Sequence, residues 1–425
     1  MAYTDFIAAI DLGTSHMVGM VGTKNATGAL SIIAYEVENS GTCIRRGCVY
    51  NVKETASKIK RLILKLENKL GGTKIGQVYV GLGGQSLRSI EHTVCKVLGT
   101  EGVVTEEIID SLYQECKDYR PDMLTVLDVV SPSYFLDDKP ESNPVGVPCS
   151  RIEARYKLIV GRPSLKLNIV NSISEQAKIE IAGILVSPLA LGDVVLSDNE
   201  KDLGCALIGF GAGVTTISVY KGGKLASLSV VPFGGNLITK DITNLRVVES
   251  EAERLKITYG SAKADRDNDM TIQVSLADGM GLREIKLAEL NGVIEARMDE
   301  ILENVYARLE ATGLMSVLGA GIVITGGGAA LKNLPAVMSE RLKMEVRYSA
   351  VRKGVVASGD LVVASNPEYA VAVGLLAKGT KNCALYIPPK PEPKIEPVVE
   401  PEPIVEPTPE PEPVKEKPKK EKKKG

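Results

Sequence analysis

Ile10-Asp11-Leu12-Gly13-Thr14-Ser15-His16 lies between Phe6-Ile7-Ala8-Ala9 and Met17-Val18-Gly19-Met20-Val21. An apolar strand delivers one acid into a tight glycine turn, and a second apolar strand leaves at once. A hairpin tip of this kind can turn backbone N–H groups and hydroxyls onto phosphate while the acid faces a metal ion. Asp-x-Gly-Thr also occurs in ordinary hairpins. Here, however, the pattern returns at Leu207-Ile208-Gly209-Phe210-Gly211-Ala212-Gly213-Val214-Thr215-Thr216-Ile217-Ser218-Val219, about 198 residues on. Asp11-Leu12-Gly13 falls on Gly209-Phe210-Gly211, and an alternating strand follows each. Such an internal duplication suggests two related halves facing one nucleotide.

The length of 425 residues allows two to four domains, and 44% hydrophobic residues suffice for sizeable cores. A net charge of −2 without a basic stripe in the body argues against nucleic acid as a partner. With no Trp and four Phe, base-stacking platforms are not expected. The seven cysteines include no Cys-x-x-Cys, which fits reduced, mostly buried thiols and a cytoplasmic setting. No basic n-region precedes the first apolar run, and no stretch of 18 apolar residues occurs. Neither a signal peptide nor a membrane span is expected.

Strand and helix patterns alternate along the body, as in α/β folds. Val52–Leu70 carries a helical apolar face of Ala56, Ile59, Leu62, Ile63, Leu66 and Leu70, ended by Gly71-Gly72. Gln77–Gly84 reads as a buried strand and turn. Residues 85–160 read as a separate small unit, with a helix over 106–119 capped by Thr105 and strands at 124–130 and 151–160. Helices are expected at Ser172–Ile184, Val248–Tyr259 and Asn291–Thr312, the last closed by Gly313. From Pro388 the composition changes: twelve of the 22 prolines fall between Pro388 and Pro418, interleaved with Glu and Val. Such a segment is expected to be an extended tether. It ends in seven lysines within 415–425, either a solvated tail or a weak electrostatic contact with anionic lipid.

Three further segments point to a nucleotide cleft. In Val231-Pro232-Phe233-Gly234-Gly235-Asn236, two glycines allow backbone to approach a ligand closely; the plain alternative is a loop before a helix. Glu253 and Lys256 stand three residues apart on one helix face, placed to meet a ribose and an adenine or, as commonly happens, to form a solvated pair. Ile322-Val323-Ile324-Thr325-Gly326-Gly327-Gly328 runs a strand into three glycines against which a base or phosphate can pack. Its spacing matches neither Gly-x-Gly-x-x-Gly nor a P-loop.

In order and spacing the set resembles the actin-like ATPase superfamily: phosphate-1 loop, phosphate-2 loop, ribose and adenine helix, adenosine loop. The closing segment Ser365-Asn366-Pro367-Glu368-Tyr369-Ala370-Val371-Ala372-Val373-Gly374-Leu375-Leu376 looks like the bacterial cell-division family FtsA. Pro144-Val145-Gly146, Gly234-Gly235-x-x-Ile238-Thr239-x-Asp241-Ile242 and Ala252-Glu253-x-x-Lys256 running into Tyr259-Gly260 look like it too. The resemblance covers residues 5 to about 380. It implies an α/β, actin-like two-lobed ATPase fold with duplicated α/β cores flanking a nucleotide cleft. The first lobe would occupy 1–84 and 161–192, an FtsA-type subdomain 85–160, the second lobe 193–387 and the tail 388–425.

The resemblance further implies an adaptor that binds ATP and Mg and self-associates into filaments. It would link the C-terminal tail of FtsZ to the cytoplasmic face of the membrane at the septum, and recruit later division proteins through residues 85–160. Asp11 would hold Mg through water. Gly13, Thr14 and Ser15 would cradle β- and γ-phosphate with Gly211, Gly213 and Thr215. Gly234 and Gly235 would approach the phosphates or ribose, Glu253 and Lys256 would flank ribose and adenine, and Gly326, Gly327 and Gly328 would back the nucleoside.

The chain departs from the family pattern Asp-x-Gly-Gly-Gly-Thr-Thr-Asp. Gly209 stands for the first acid, Val214 for a threonine and Thr216 for the last acid. Phosphoryl transfer needs anionic ligands for Mg²⁺, so hydrolysis is expected to be weak or absent and no catalytic residue is assigned. The lysine ending also differs from the amphipathic membrane helix usual in the family. Other readings are an active ATPase or phosphotransferase on this fold, an assembly adaptor of pili or secretion systems, and a nucleotide-free relic.

Overall fold

Both copies of the opening pattern are antiparallel hairpins in the computed structural model, which describes residues 5–99, 102–275, 281–357, 363, 366–385 and 414. Strand β1 (Ile7–Leu12) turns into β2 (His16–Lys24) with Leu12 opposite Met17. Then come β3 (Leu30–Asn39), the short hairpin of β4 (Ile44–Arg45) and β5 (Cys48–Val49), helix α1 (Val52–Lys69) and β6 (Gln77–Leu82), parallel to β1. The apolar stripe of α1 is buried as its period requires, and the Asn51 side chain accepts the Glu54 N–H at 3.1 Å to cap its start.

An excursion follows: β7 (Arg88–Val97), α2 (Glu106–Asp118), β8 (Thr125–Leu136), β9 (Lys139–Glu141) and β10 (Arg151–Gly161). Its sheet has the order β7-β10-β8-β9 and its own buried cluster, with Val94, Leu112, Ile152, Ala154 and Leu158. Arg88 pairs with Val160, so the excursion leaves and returns at one place. Thr105 caps α2 by accepting the Ile108 N–H at 3.4 Å.

The chain rejoins the first sheet through α3 (Ser164–Val170), a π-helical stretch Asn171–Ala177 and β11 (Glu180–Val186). A helix over Ser172–Ile184 is therefore wrong. Lys178, at φ 61°, stops the helix early, and Glu180–Val186 pairs in parallel with β6. A short apolar run fits either period, and the open edge of β6 decided for strand.

The second half repeats the first. After α4 (Ser187–Val195) and α5 (Asp198–Leu203) come β12 (Cys205–Phe210), β13 (Thr215–Lys221) and β14 (Lys224–Val231). Next are α6 (Gly235–Ile242), α7 (Glu249–Tyr259), the hairpin of β15 (Thr271–Ser275) and β16 (Leu282–Lys286), and α8 (Leu287–Glu310). The half closes with β17 (Ile322–Thr325), α9 (Leu334–Leu342) and β18 (Val346–Tyr348), and α10 (Ala370–Lys378) then returns to pack on α4 and on β1, β2 and β6 of the first sheet. The two five-stranded sheets have orders β11-β6-β1-β2-β3 and β18-β17-β12-β13-β14. That is one topology used twice. Helix α8 begins four residues before Asn291, because Asn291 is buried mid-helix and accepts the Ser261 N–H at 2.9 Å instead of capping.

Strand alternation divides the core. Cys205 and Leu207 of β12 face α4 and α10 in one cluster, whereas Ala206, Ile208 and Phe210 face α8 in the other. Met1–Tyr386 and Ile387–Gly425 are separate units. Apart from Val414, the expected tether and lysine tail lie outside the described residues, as does Ser365.

Helices α4 and α10 cross where Gly374 meets Ala190. A Cβ on Gly374 would overlap the Ala190 carbonyl oxygen. Gly374→Ala should therefore destabilise the protein by about 1–3 kcal/mol, the usual cost of overpacking. The measurement is the urea midpoint of the purified chain; an unchanged midpoint would show that the crossing relaxes freely.

Candidate functional site

The site grows from the two hairpin turns. At Gly13 a Cβ would lie 2.5 Å from the His16 carbonyl oxygen, and at Gly211 one would lie 2.9 Å from that of Val214. The same glycine meets the same turn position in each copy. The Gly13 carbonyl accepts the Ser40 hydroxyl at 2.7 Å, and the Ser15 carbonyl accepts the Ser40 N–H at 3.0 Å. Ser40 is buried, so it fixes the first turn from behind.

The turns meet. A Cβ on Gly213 would lie 2.6 Å from Thr14 Oγ1 and 2.9 Å from Arg46 Cα. Thr14 Oγ1 accepts the Gly47 N–H at 2.9 Å, which docks the β4–β5 tip onto the first turn. The Ser15 hydroxyl stands exposed, 2.8 Å from His16 Nδ1. On the second turn, the carbonyls of Gly211 and Ala212 accept the N–H groups of Gly235 and Asn236 at 3.0 and 2.8 Å. The start of α6, with Gly234 as its N-cap, is thus tied to the turn, and two of its free N–H groups are already used. Thr215 is buried and donates its hydroxyl to the Phe233 carbonyl at 2.9 Å, holding the same loop.

Lys256 links α7 to α6. Its Nζ donates to the Gly235 carbonyl at 3.2 Å, to Thr239 Oγ1 at 2.9 Å and to Glu253 Oε2 at 2.7 Å. The Thr239 hydroxyl also bonds Glu253. The Glu253–Lys256 pair is therefore anchored to α6 rather than free in solvent. Gly326 and Gly328 lie over Phe210 at the end of β12, and Gly327 faces Glu368. Contacts thus run from the first turn to the second, on to α6 and α7, and along β12 to the Gly326–Gly328 loop.

Asp11 is half-buried on β1, beside Gly81 of β6. A Cβ on Gly81 would lie 2.5 Å from Ser187 Oγ and 3.2 Å from Asp11 Oδ1, so a bare glycine leaves the carboxylate its space. Burial pushes the Asp11 carboxyl up to about 6, partly offset by the Leu12 N–H. Among the described residues no group of three or more His, Cys, Asp or Glu could hold a metal ion. A lone desolvated carboxylate does suit Mg²⁺ carried on phosphates, because that ion keeps most of its water and takes one or two carboxylates. At the matching place in the second hairpin, Gly209 pairs with Thr216 and with Thr325, and the Thr325 hydroxyl is buried without a partner. Sequence reasoning missed Ser40, Arg46, Ser187 and Glu368. Arg45-Arg46-Gly47 was a legible turn; the others carry no local signal.

The Asp11 shift has a definite sign. The unfolded chain releases this proton near 3.8 and the folded chain near 6, so folding stability falls as pH rises through that window and stays reduced above it. Asp11→Asn should stabilise the protein at pH 7.5 by about 1–3 kcal/mol and leave it unchanged at pH 4. Urea unfolding at the two pH values checks this; equal effects at both would exclude the carboxylate charge as the cause.

A model of the family "Cell division protein FtsA" matches residues 206–374. The cell division protein FtsA of Porphyromonas gingivalis is 39% identical over 382 residues, covering 89% of this chain and 79% of that protein. That of Bacillus subtilis is 32% identical, covering 91% and 86%. Among solved structures, the PilM-PilN type IV pilus biogenesis complex aligns with a TM-score of 0.59 at 15% identity, covering 87% of this chain and 97% of that one. MreB5 of Spiroplasma citri bound to ADP aligns at 0.50 and 15% identity, covering 87% and 95%. The MamK double helical filament aligns at 0.50 and 11% identity, covering 87% and 97%. These likenesses show the actin-like ATPase fold, and with the duplicated hairpins and the identity to its relatives, the chain belongs to the FtsA family of cell division proteins.

Proposed function

We propose that this protein is a nucleotide-binding adaptor of cell division, taking up ATP with Mg²⁺ between its two halves. The observation that carries the reading is the meeting of the two glycine turns, with Thr14 against Gly213 and the single acid Asp11 on β1. Backbone N–H groups of the turns and the hydroxyls of Thr14 and Ser15 hold the phosphates. Asp11 orients the metal through water. Glu253 and Lys256, already braced against α6, border the ribose and adenine, and Gly326–Gly328 back the nucleoside.

Hydrolysis is weak or absent in this reading. Gly209 supplies no carboxylate to the second turn, and losing one acid around a metal costs about 10–100-fold in affinity or activity. Nucleotide then serves assembly more than turnover. Filament formation by the MamK neighbour supports self-association on this fold. Membership of the FtsA family supports a link from the FtsZ C-terminal tail to the cytoplasmic face of the membrane at the septum, with residues 85–160 receiving later division proteins. Attachment would run through the lysine-rich tail, whose net charge of about +5 gives weak, salt-sensitive binding to anionic lipid, strengthened when many tails act together in a filament. No described helix is long and apolar enough to cross a membrane.

Thermal melting of the purified chain tests the binding: ATP with Mg²⁺ should raise the midpoint by mass action. Asp11→Ala should weaken binding of ATP–Mg²⁺ far more than that of ATP without metal, and equal losses would make Asp11 structural. Gly209→Asp tests the missing acid. Gly209 does not occupy the left-handed region, so Asp fits its backbone, but the new Cβ would lie 2.7 Å from Thr216 Oγ1 and Thr216 must rotate. Turnover should rise about tenfold or more; a folded Gly209→Asp variant with unchanged turnover would defeat the account of weak hydrolysis.

A further inference from the structure

Arg46 is a cation at the cleft to which nothing above gives a role. It forms the β4–β5 turn with Gly47, and both have positive φ, 49° and 71°. Arg45 pairs with Cys48, and a two-residue hairpin loop of this kind requires positive φ at both positions, so the turn fixes the Arg46 backbone. The turn is wedged among three elements. Gly47 donates to Thr14 on the first phosphate turn. Arg46 Cα backs onto Gly213 of the second. The Arg46 carbonyl accepts the Gln85 N–H at 3.2 Å, at the point where the chain leaves for the β7–β10 excursion.

The side chain is exposed and meets no carboxylate among the described residues; its Nη1 donates only to the neutral Gln85 Oε1 at 3.2 Å. Gln85 adjoins Ser86, whose hydroxyl accepts the Arg162 N–H at 3.2 Å. Residues 85 and 86 thus tie Arg46 to both roots of the excursion.

We propose that Arg46 reads the terminal phosphate of the bound nucleotide and passes its presence to the excursion through Gln85. This rests on the nucleotide reading above. A guanidinium bonds a phosphate more strongly than an amide oxygen, because the partner is charged and the fork geometry matches. With ADP, Arg46 stays on Gln85. With ATP, it leaves Gln85 for the terminal phosphate held beside the two glycine turns, and the root of the excursion is released from that bond. The excursion therefore senses which nucleotide is bound.

Calorimetric titration of the full chain with Mg²⁺ and either AMP-PNP or ADP tests this. Arg46→Gln should lose about tenfold in AMP-PNP affinity and less than about twofold in ADP affinity, while Arg46→Lys keeps the charge and recovers most of the loss. Equal losses for both nucleotides, or none, overturn the proposal. Gln85→Ala keeps the backbone N–H bond to the turn but removes the resting partner of the side chain, and should strengthen AMP-PNP binding about two- to threefold; weakening would overturn it. Hydrogen exchange at residues 85–87 should change with AMP-PNP but not with ADP in the wild type, and not at all in Arg46→Gln at saturation. Protection at Thr14 and Gly213 without any change at 85–87 would keep the nucleotide site and refute the relay. Wild-type chain that binds neither nucleotide would refute both.

Discussion

The missing side chain at Gly213 is the constraint on which the cleft depends. Two hairpins from two separate sheets approach until a single methyl group would collide with both Thr14 and Arg46. Close packing leaves no slack there, so the approach sets the distance between the halves at this point. The start of α6 follows from it, because its first N–H groups are spent on the carbonyls of Gly211 and Ala212. Lys256 then reaches across from α7 to the Gly235 carbonyl, and α7 is placed relative to the second turn.

The two hairpin turns carry one carboxylate between them, Asp11. Asp11 is held with its carboxyl raised by burial, which disfavours its charge unless a cation arrives. In the second half the corresponding space holds Gly209, the Thr216 hydroxyl and the partnerless Thr325 hydroxyl. Such a lining offers neutral oxygens where phosphoryl transfer calls for anionic ones. The duplicated scaffold is symmetric in backbone and asymmetric in charge, which fits a site that holds nucleotide more readily than it spends it.

The β7–β10 excursion belongs by connection to the first sheet, yet it also rests on the second. Leu228 donates its N–H to Ser89 Oγ at 2.8 Å, Leu225 donates to Ser131 Oγ at 3.0 Å, and Lys224 donates to the Pro132 carbonyl. Ser131 adopts φ 56° at a bulge in β8, which aims its hydroxyl at β14. Since β14 is an edge strand, these bonds cover backbone groups that would otherwise invite pairing with another chain. The excursion thus touches both halves, and a change in their separation must move or strain it.

The duplication, the α/β class, the glycine turns and the helical spacing that sets Glu253 beside Lys256 were legible in the sequence, because each depends on local chemistry: alternation, turn residues and helical spacing. Helix α1, with its stripe and Asn51 cap, is of this kind. Tertiary structure decided the rest. Glu180–Val186 became a strand because β6 had an open edge, a fact that no window of residues contains. Asn291 lay inside a helix because Ser261, distant in sequence, needed an acceptor. Arg46 gained its place only when three segments converged on it, and Ser40 and Ser187 only when the first turn and Gly81 came to rest beside them. Local pattern fixes which elements form; long-range packing and the need to satisfy buried polar groups fix which residues share a site.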